Sequence, residues 1–144
     1  MPIGVAFQTP VASVPTLVND DETIADAWTA AIRMRGYEVV RASTGEAALS
    51  LAETVRPDLL LTDWLLPGID GMRLYRLFRK DPALAHVPVI VVLASSLSLP
   101  AQPEAVSNIH YVRKPVEVAT LCAAISASLT KIETSGEGSV DKGT

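Results

Sequence analysis

The stretch Asp58-Leu59-Leu60-Leu61-Thr62-Asp63 limits what this chain can fold into more than any other. It is an apolar run that ends on a carboxylate. Pro57 stands before it and Pro67-Gly68 follows, so it reads as a short buried strand. A strand that is apolar at successive positions, rather than alternating, needs cover on both faces, as in the parallel sheets of α/β proteins. Asp63 then stands at the carboxyl end of a central strand, where open α/β sheets bind ligands. The chain can supply the core this requires: 49 % of its 144 residues are hydrophobic. Only 5 % are aromatic, so that core must be built from Val, Leu, Ile and Ala.

The rest of the chain alternates in the same sense. Thr16-Leu17-Val18 is a short apolar strand that runs into Asn19-Asp20-Asp21-Glu22. A helix follows from about Thr23 to Arg35, with Ile24, Ala27, Trp28, Ala31 and Ile32 on one stripe. The acids at its start suit the helix dipole, and Gly36 ends it. Glu38 to Ala42 reads as a second strand. Ser43 with Glu46 has capping-box spacing for a helix over Gly45 to Val55, which buries Ala48, Leu51 and Ala52. After the Asp58–Asp63 strand, Pro67 to Gly71 is a turn, and Met72 to Lys80 is a helix that packs through Leu74, Leu77 and Phe78.

Val87 to Ala94 is the longest apolar run and a second central strand. Ser95 to Asn108 is poorly patterned, with Pro100 and Pro103, and holds at most a short helix near Gln102 to Val106. His110-Tyr111-Val112 is the fifth strand. The last helix runs from Val116 to about Lys131, with Val118, Leu121, Cys122, Ile125 and Leu129 inward. Strands alternating with helices predict an α/β fold: a single doubly wound domain over 14–132. Residues 1–13 read as a flexible leader and 133–144 as a disordered tail or linker stub.

Composition narrows the function. The formal net charge is −4, and Arg113-Lys114 is a short Lys/Arg cluster, so direct nucleic-acid binding is not expected. Cys122 is the sole cysteine, which rules out an intrachain disulfide and a Cys-rich zinc site. No apolar run approaches the roughly 18 residues of a membrane span. Met1 to Val14 holds no Lys or Arg, so it lacks the basic start of a secretory signal, and a cytoplasmic location is expected.

The chemistry comes from three strand ends: Asp20, Asp63 and Lys114. In a parallel sheet such ends share one edge. Carboxylates gathered there repel one another until a cation joins them, and oxygen ligands without His or Cys favour Mg²⁺. An exposed carboxylate beside Mg²⁺ and an ammonium suits phosphoryl transfer to the carboxylate. Taken singly, each residue has a blander reading: an Asp after a strand as a cap or turn former, a Lys-Pro as a loop.

These residues carry a resemblance. Asp58 to Asp63, continuing through Trp64, Pro67-Gly68, Asp70 and Gly71, with Lys114-Pro115 downstream, resembles the receiver domain of two-component response regulators. Val18 to Glu22, Gly36 to Val39 and Pro88 to Val92 support it, and the likeness spans about Pro15 to Lys131. It implies a five-stranded parallel sheet of flavodoxin-like order with helices on both faces. Asp63 matches the phosphoacceptor and Lys114 the lysine that bridges to the phosphoryl group. Asp20, Asp63 and the backbone carbonyl of Leu65 match the Mg²⁺ ligands. Asn19 and Asp21 are further candidates, because the family's acidic pair falls on Asn19-Asp20 in an ungapped count and on Asp20-Asp21 after a shift of one. Pro115 matches a proline that often follows a cis bond, and Tyr111 the aromatic that moves on activation. The implied partner is a histidine kinase or a phosphotransfer protein, with a homodimer as a further expectation and no separate substrate turnover.

The chain also departs from the family. Leu93, thirty residues after Asp63, stands where the family has Ser or Thr, and it cannot donate a hydrogen bond. Asn19 replaces a carboxylate, and two prolines occupy the fourth-helix region. These departures motivate a rival expectation: a degenerate receiver that acts as a phosphorylation-independent interaction module. A small aspartyl phosphohydrolase is a third reading, for which no substrate cap or second catalytic acid is visible beyond Asp20-Asp21.

Overall fold

The structure, a computed structural model, describes residues 14–94 and 108–129. The expected leader over 1–13, the weak helix near Gln102 to Val106 and the tail over 133–144 lie outside the described residues.

The five strands are β1 (Pro15–Val18), β2 (Val40–Ala42), β3 (Leu59–Asp63), β4 (Val89–Leu93) and β5 (Ile109–Arg113). All are parallel, in the order β2-β1-β3-β4-β5. This is the doubly wound, flavodoxin-like order, whose switch point lies between β1 and β3. Every residue of β1, β3 and β4 is buried, as apolar strands covered on both faces must be. β2 and β5, at the sheet edges, keep exposed residues.

Alternation along the strands divides the core in two. Leu17, Leu59, Leu61, Ile90 and Val92 pack with Trp28 and Ile32 of α1 (Glu22–Met34) and with Leu121 and Ile125 of a last helix over 118–129. Val18, Leu60, Val89, Val91 and Leu93 pack with Ala48 and Ala52 of α2 (Gly45–Thr54) and with Met72, Leu74 and Phe78 of α3 (Gly71–Lys80).

Several local expectations are corrected. On α1 the buried stripe is Ala25, Trp28, Thr29 and Ile32, while Ala27 is exposed. Two faces about 100° apart both keep helical spacing, and tertiary contact chose between them. The cap of α2 is Thr44, not Ser43: its hydroxyl accepts the Ala47 N–H at 3.0 Å. Chain exit from β2 leaves Thr44 extended, as a capping residue must be. Glu38 lies outside the short β2. On α3, Met72 and Tyr75 are buried and Leu77 only partly so. Val118 is 43 % exposed, its neighbours at the start of the last helix are exposed too, and burial begins at Leu121.

Two residues hold the passage from β3 into α3. Asp70 caps the helix by accepting the Arg73 N–H at 2.8 Å. Gly71 is buried, and a Cβ there would fall against the Asp63 carbonyl oxygen and 3.1 Å from Trp64 Cα, both of them backbone atoms that cannot swing aside. Asp70→Ala is expected to cost about 1 kcal/mol of stability, a lost cap. Gly71→Ala should cost roughly 1–3 kcal/mol, the range of overpacking. Urea denaturation of the two variants measures both, and an unchanged midpoint for Gly71→Ala would show that the approach is looser than described.

Candidate functional site

Parallel register brings the three predicted groups to one edge. Val18 pairs with Thr62 across β1 and β3, so Asn19 and Asp20 follow β1 at the level where Asp63 ends β3. Asp63 pairs with Val92 of β4, and Leu93 of β4 pairs with Arg113 of β5, so Lys114 leaves β5 one step beyond. Strands lie about 4.8 Å apart, which separates β3 from β5 by roughly 10 Å of sheet. The long lysine stem crosses that distance. Lys114 Nζ lies 3.2 Å from Asp63 Oδ1 and donates to Oδ2 at 3.4 Å.

The backbone on each side is pinned. Trp64 N–H donates to the Val92 carbonyl and Gly71 N–H to the Trp64 carbonyl, both at 2.8 Å. Lys114 N–H donates to the Leu93 carbonyl at 2.8 Å, and the Lys114–Pro115 bond is cis, as the resemblance implied. In the sequence, Gly71 and Asp70 mark a turn and part of the family motif, without a structural role for either. A glycine eight residues after the candidate acceptor was the available signal, but its reason, close approach to the Asp63 carbonyl, needs coordinates.

Asp63 is 7 % exposed. Burial pushes its carboxyl above the ordinary 3.8; the Lys114 ammonium pulls it back, and the Asp20 carboxylate opposes ionisation further. One ammonium therefore does not fully compensate the buried carboxylate. Asp20 is exposed, and its charge acts on Asp63. Asp21 is also exposed and caps α1, accepting the Ile24 N–H at 3.1 Å. Asn19 is buried; its Oδ1 accepts the Asp21 N–H at 2.9 Å, which turns Nδ2 inward with no partner among the described residues. The side chain thus has its acceptor engaged and its donor unserved.

Among the described residues no three His, Cys, Asp or Glu side chains gather as a metal site. The side-chain donors on hand are two carboxylates, Asp20 and Asp63, whose mutual repulsion a divalent cation would relieve. With a backbone carbonyl such as that of Leu65 this is an oxygen-only set, which fits Mg²⁺ rather than zinc. Leu65 itself has an exposed side chain. Leu93 is 1 % exposed and belongs to the core with Met72 and Tyr75. Tyr111 is partly buried against that same cluster, with its hydroxyl 3.9 Å from Met72 Sδ.

Compared with known families, residues 16–126 match the response regulator receiver domain. The chain belongs to that family. It is 30 % identical over 116 residues to the phosphate regulon transcriptional regulatory protein PhoB of Pseudomonas aeruginosa, covering 80 % of this chain and 51 % of PhoB. It is 32 % identical over 114 residues to the polar-differentiation response regulator DivK of Brucella anthropi, covering 78 % of this chain and 93 % of DivK. The chain thus spans about half of PhoB but nearly all of DivK. Among solved structures, the receiver domain of the hybrid histidine kinase CckA is 28 % identical with a TM-score of 0.68, over 81 % of this chain and 99 % of that one. The signal receiver domain of a signal transduction histidine kinase from Syntrophus aciditrophicus is 25 % identical with a TM-score of 0.72, over 84 % and 92 %. This receiver domain is therefore a module of phosphorelay signalling, and no helix among its described residues is long and apolar enough to cross a membrane.

The electrostatics of Asp63 make a prediction with a definite sign. Its folded-state pKa lies above the unfolded value, so the folded receiver holds that proton more tightly. The resulting contribution to stability is complete below the unfolded pKa and is lost as pH rises through the folded one. At neutral pH the ionised Asp63 is then a cost. Asp63→Asn should raise the metal-free thermal midpoint at pH 7. The gain should vanish at pH 3. Scanning calorimetry of both proteins at the two pH values checks it.

Proposed function

We propose that Asp63 is the phosphoacceptor, charged by a histidine kinase or a phosphotransfer protein in the cytoplasm. An ionised Asp63 oxygen attacks the phosphorus of a phosphohistidine. The P–N bond breaks, its electron pair returns to the imidazole, and an aspartyl acyl phosphate is left on the receiver. The observation that carries this reading is the Lys114 ammonium at 3.2 Å from a carboxylate that burial and Asp20 otherwise disfavour. Lys114 is placed to follow the charge from carboxylate to phosphoryl oxygens as it develops. Asp20, Asp63 and the Leu65 carbonyl would hold Mg²⁺, which supplies further neutralisation of the phosphoryl group. Asp21 is engaged as the cap of α1, and the Asn19 carbonyl is engaged by Asp21, so Asp20 is the side chain we assign beside Asp63. The chemistry is confined to the receiver's own carboxylate, with no separate substrate turned over.

The experiment is a titration with beryllofluoride, an analogue of the phosphoryl group, in the presence of Mg²⁺. Amide shifts around Asp63, Leu65 and Lys114 are expected in the wild type and none in Asp63→Ala. Equal shifts in both proteins, or none in either, would remove Asp63 from its assigned role.

A second reading rests on Leu93. It ends β4 between the acceptor and Lys114, and its side chain is core, not a hydroxyl facing the phosphoryl group. In this reading the receiver binds its partner without phosphate, and the family's route from phosphoryl group to Tyr111 is cut. Tyr111 should then keep its contact with Met72 when beryllofluoride binds, and its ring resonances should not move. A large shift of the Tyr111 ring on analogue binding would restore the switch and dispose of this alternative.

A further inference from the structure

The chain is acidic overall, with 16 Asp and Glu against 12 Lys and Arg, yet α3 reverses the sign. Its ten residues contain Arg73, Arg76, Arg79 and Lys80 and no acid. Arg79 is accounted for inside the fold. Its guanidinium lies 4.7 Å from the Tyr75 ring centroid and donates to the Asn108 carbonyl at 3.1 Å. The other three are exposed. Their spacing, i, i+3 and i+7, puts them on one face of the helix. The ion pairs of the described residues, Arg41–Asp26 and Lys114–Asp63, involve none of them.

Helix stability alone does not call for this stripe. Basic residues help near a C-terminus, which accounts for Lys80, but Arg73 lies in the first turn, where the dipole disfavours a cation. Core packing does not call for it either, because α3 packs through Met72, Leu74, Tyr75 and Phe78 on its other side.

We propose that the exposed Arg73–Arg76–Lys80 face of α3 is a docking surface for a short acidic protein segment. Seven residues of helix span about 10 Å, enough for two or three carboxylates of a partner. Asp70 and Asp81, the capping residues, bound the stripe at its two ends. A longer polyanion such as a nucleic acid would run onto those carboxylates, whereas a short acidic segment fits between them. The proposal does not depend on phosphoryl uptake at Asp63.

The test uses the 144-residue chain, isotope-labelled and metal-free, at low ionic strength, where such contacts are least screened. It is titrated with an eight-residue peptide of alternating Glu and Ala, and separately with an eight-nucleotide single-stranded DNA. Amide shifts should concentrate on α3. Arg73→Glu/Arg76→Glu should weaken peptide binding at least about tenfold, and Arg35→Glu/Arg56→Glu, which changes net charge equally, should leave it within about twofold. Glutamate at position 73 suits the helix N-terminus, so the fold should tolerate the first variant. Equal losses in the two variants, shifts spread away from α3, no binding, or tighter binding of the DNA than of the peptide would each overturn the proposal.

Discussion

A lysine ammonium and an aspartate carboxylate 3.2 Å apart, joined across an intervening strand, are the contact on which the site of this receiver depends. Neither residue is near the other in the chain. Parallel β3, β4 and β5 bring their carboxyl ends to one edge, and β4 sits between them as a spacer of fixed width. The pair is not a stabilising device in the ordinary sense. Burial works against the charged carboxylate, Asp20 adds a like charge, and Lys114 only partly offsets both. A pocket left short of positive charge is one that an added cation would balance.

The surrounding backbone keeps that balance from relaxing. Trp64 is tied to Val92, Gly71 to Trp64, and Lys114 to Leu93, all through backbone hydrogen bonds of 2.8 Å. The loops that carry the reactive groups are thereby anchored to β4. Gly71 lets α3 start directly against the Asp63 carbonyl. The same helix presents Met72 to Tyr111 and an outward cationic face to solvent. One short helix thus borders the site, the aromatic of β5 and a candidate docking surface.

Leu93 is the position at which the sequence reading expects a departure from the family pattern. It occupies the last position of β4 with its side chain in the core shared by α2 and α3. A hydroxyl there would be a donor at the site; a leucine is packing. In the proposed function, the groups for phosphoryl uptake lie at the end of β3 and just after β1 and β5, whereas Leu93 lies on β4.

What the sequence determined by itself was the alternation of elements and the residues at the strand ends. An apolar run bounded by Pro57 and Pro67-Gly68 pointed to β3, the longest apolar run pointed to β4, and Asp63, Asp20 and Lys114 stood out as candidates by their position at strand ends. It could not choose between equivalent faces or caps. Ala25 and Ala27 are equally apolar, and Ser43 and Thr44 equally able to cap, so helix rotation and the path out of β2 decided them. Val118 fits an inward stripe by spacing, yet it is exposed in the folded chain. Only the folded chain decided the electrostatics as well. Asp63 carries a raised pKa because of its burial and of what lies within a few ångströms, and Lys114, its nearest charge, comes from a strand end 51 residues away; the contacts that engage Asp21 and the Asn19 Oδ1 are local, within three residues.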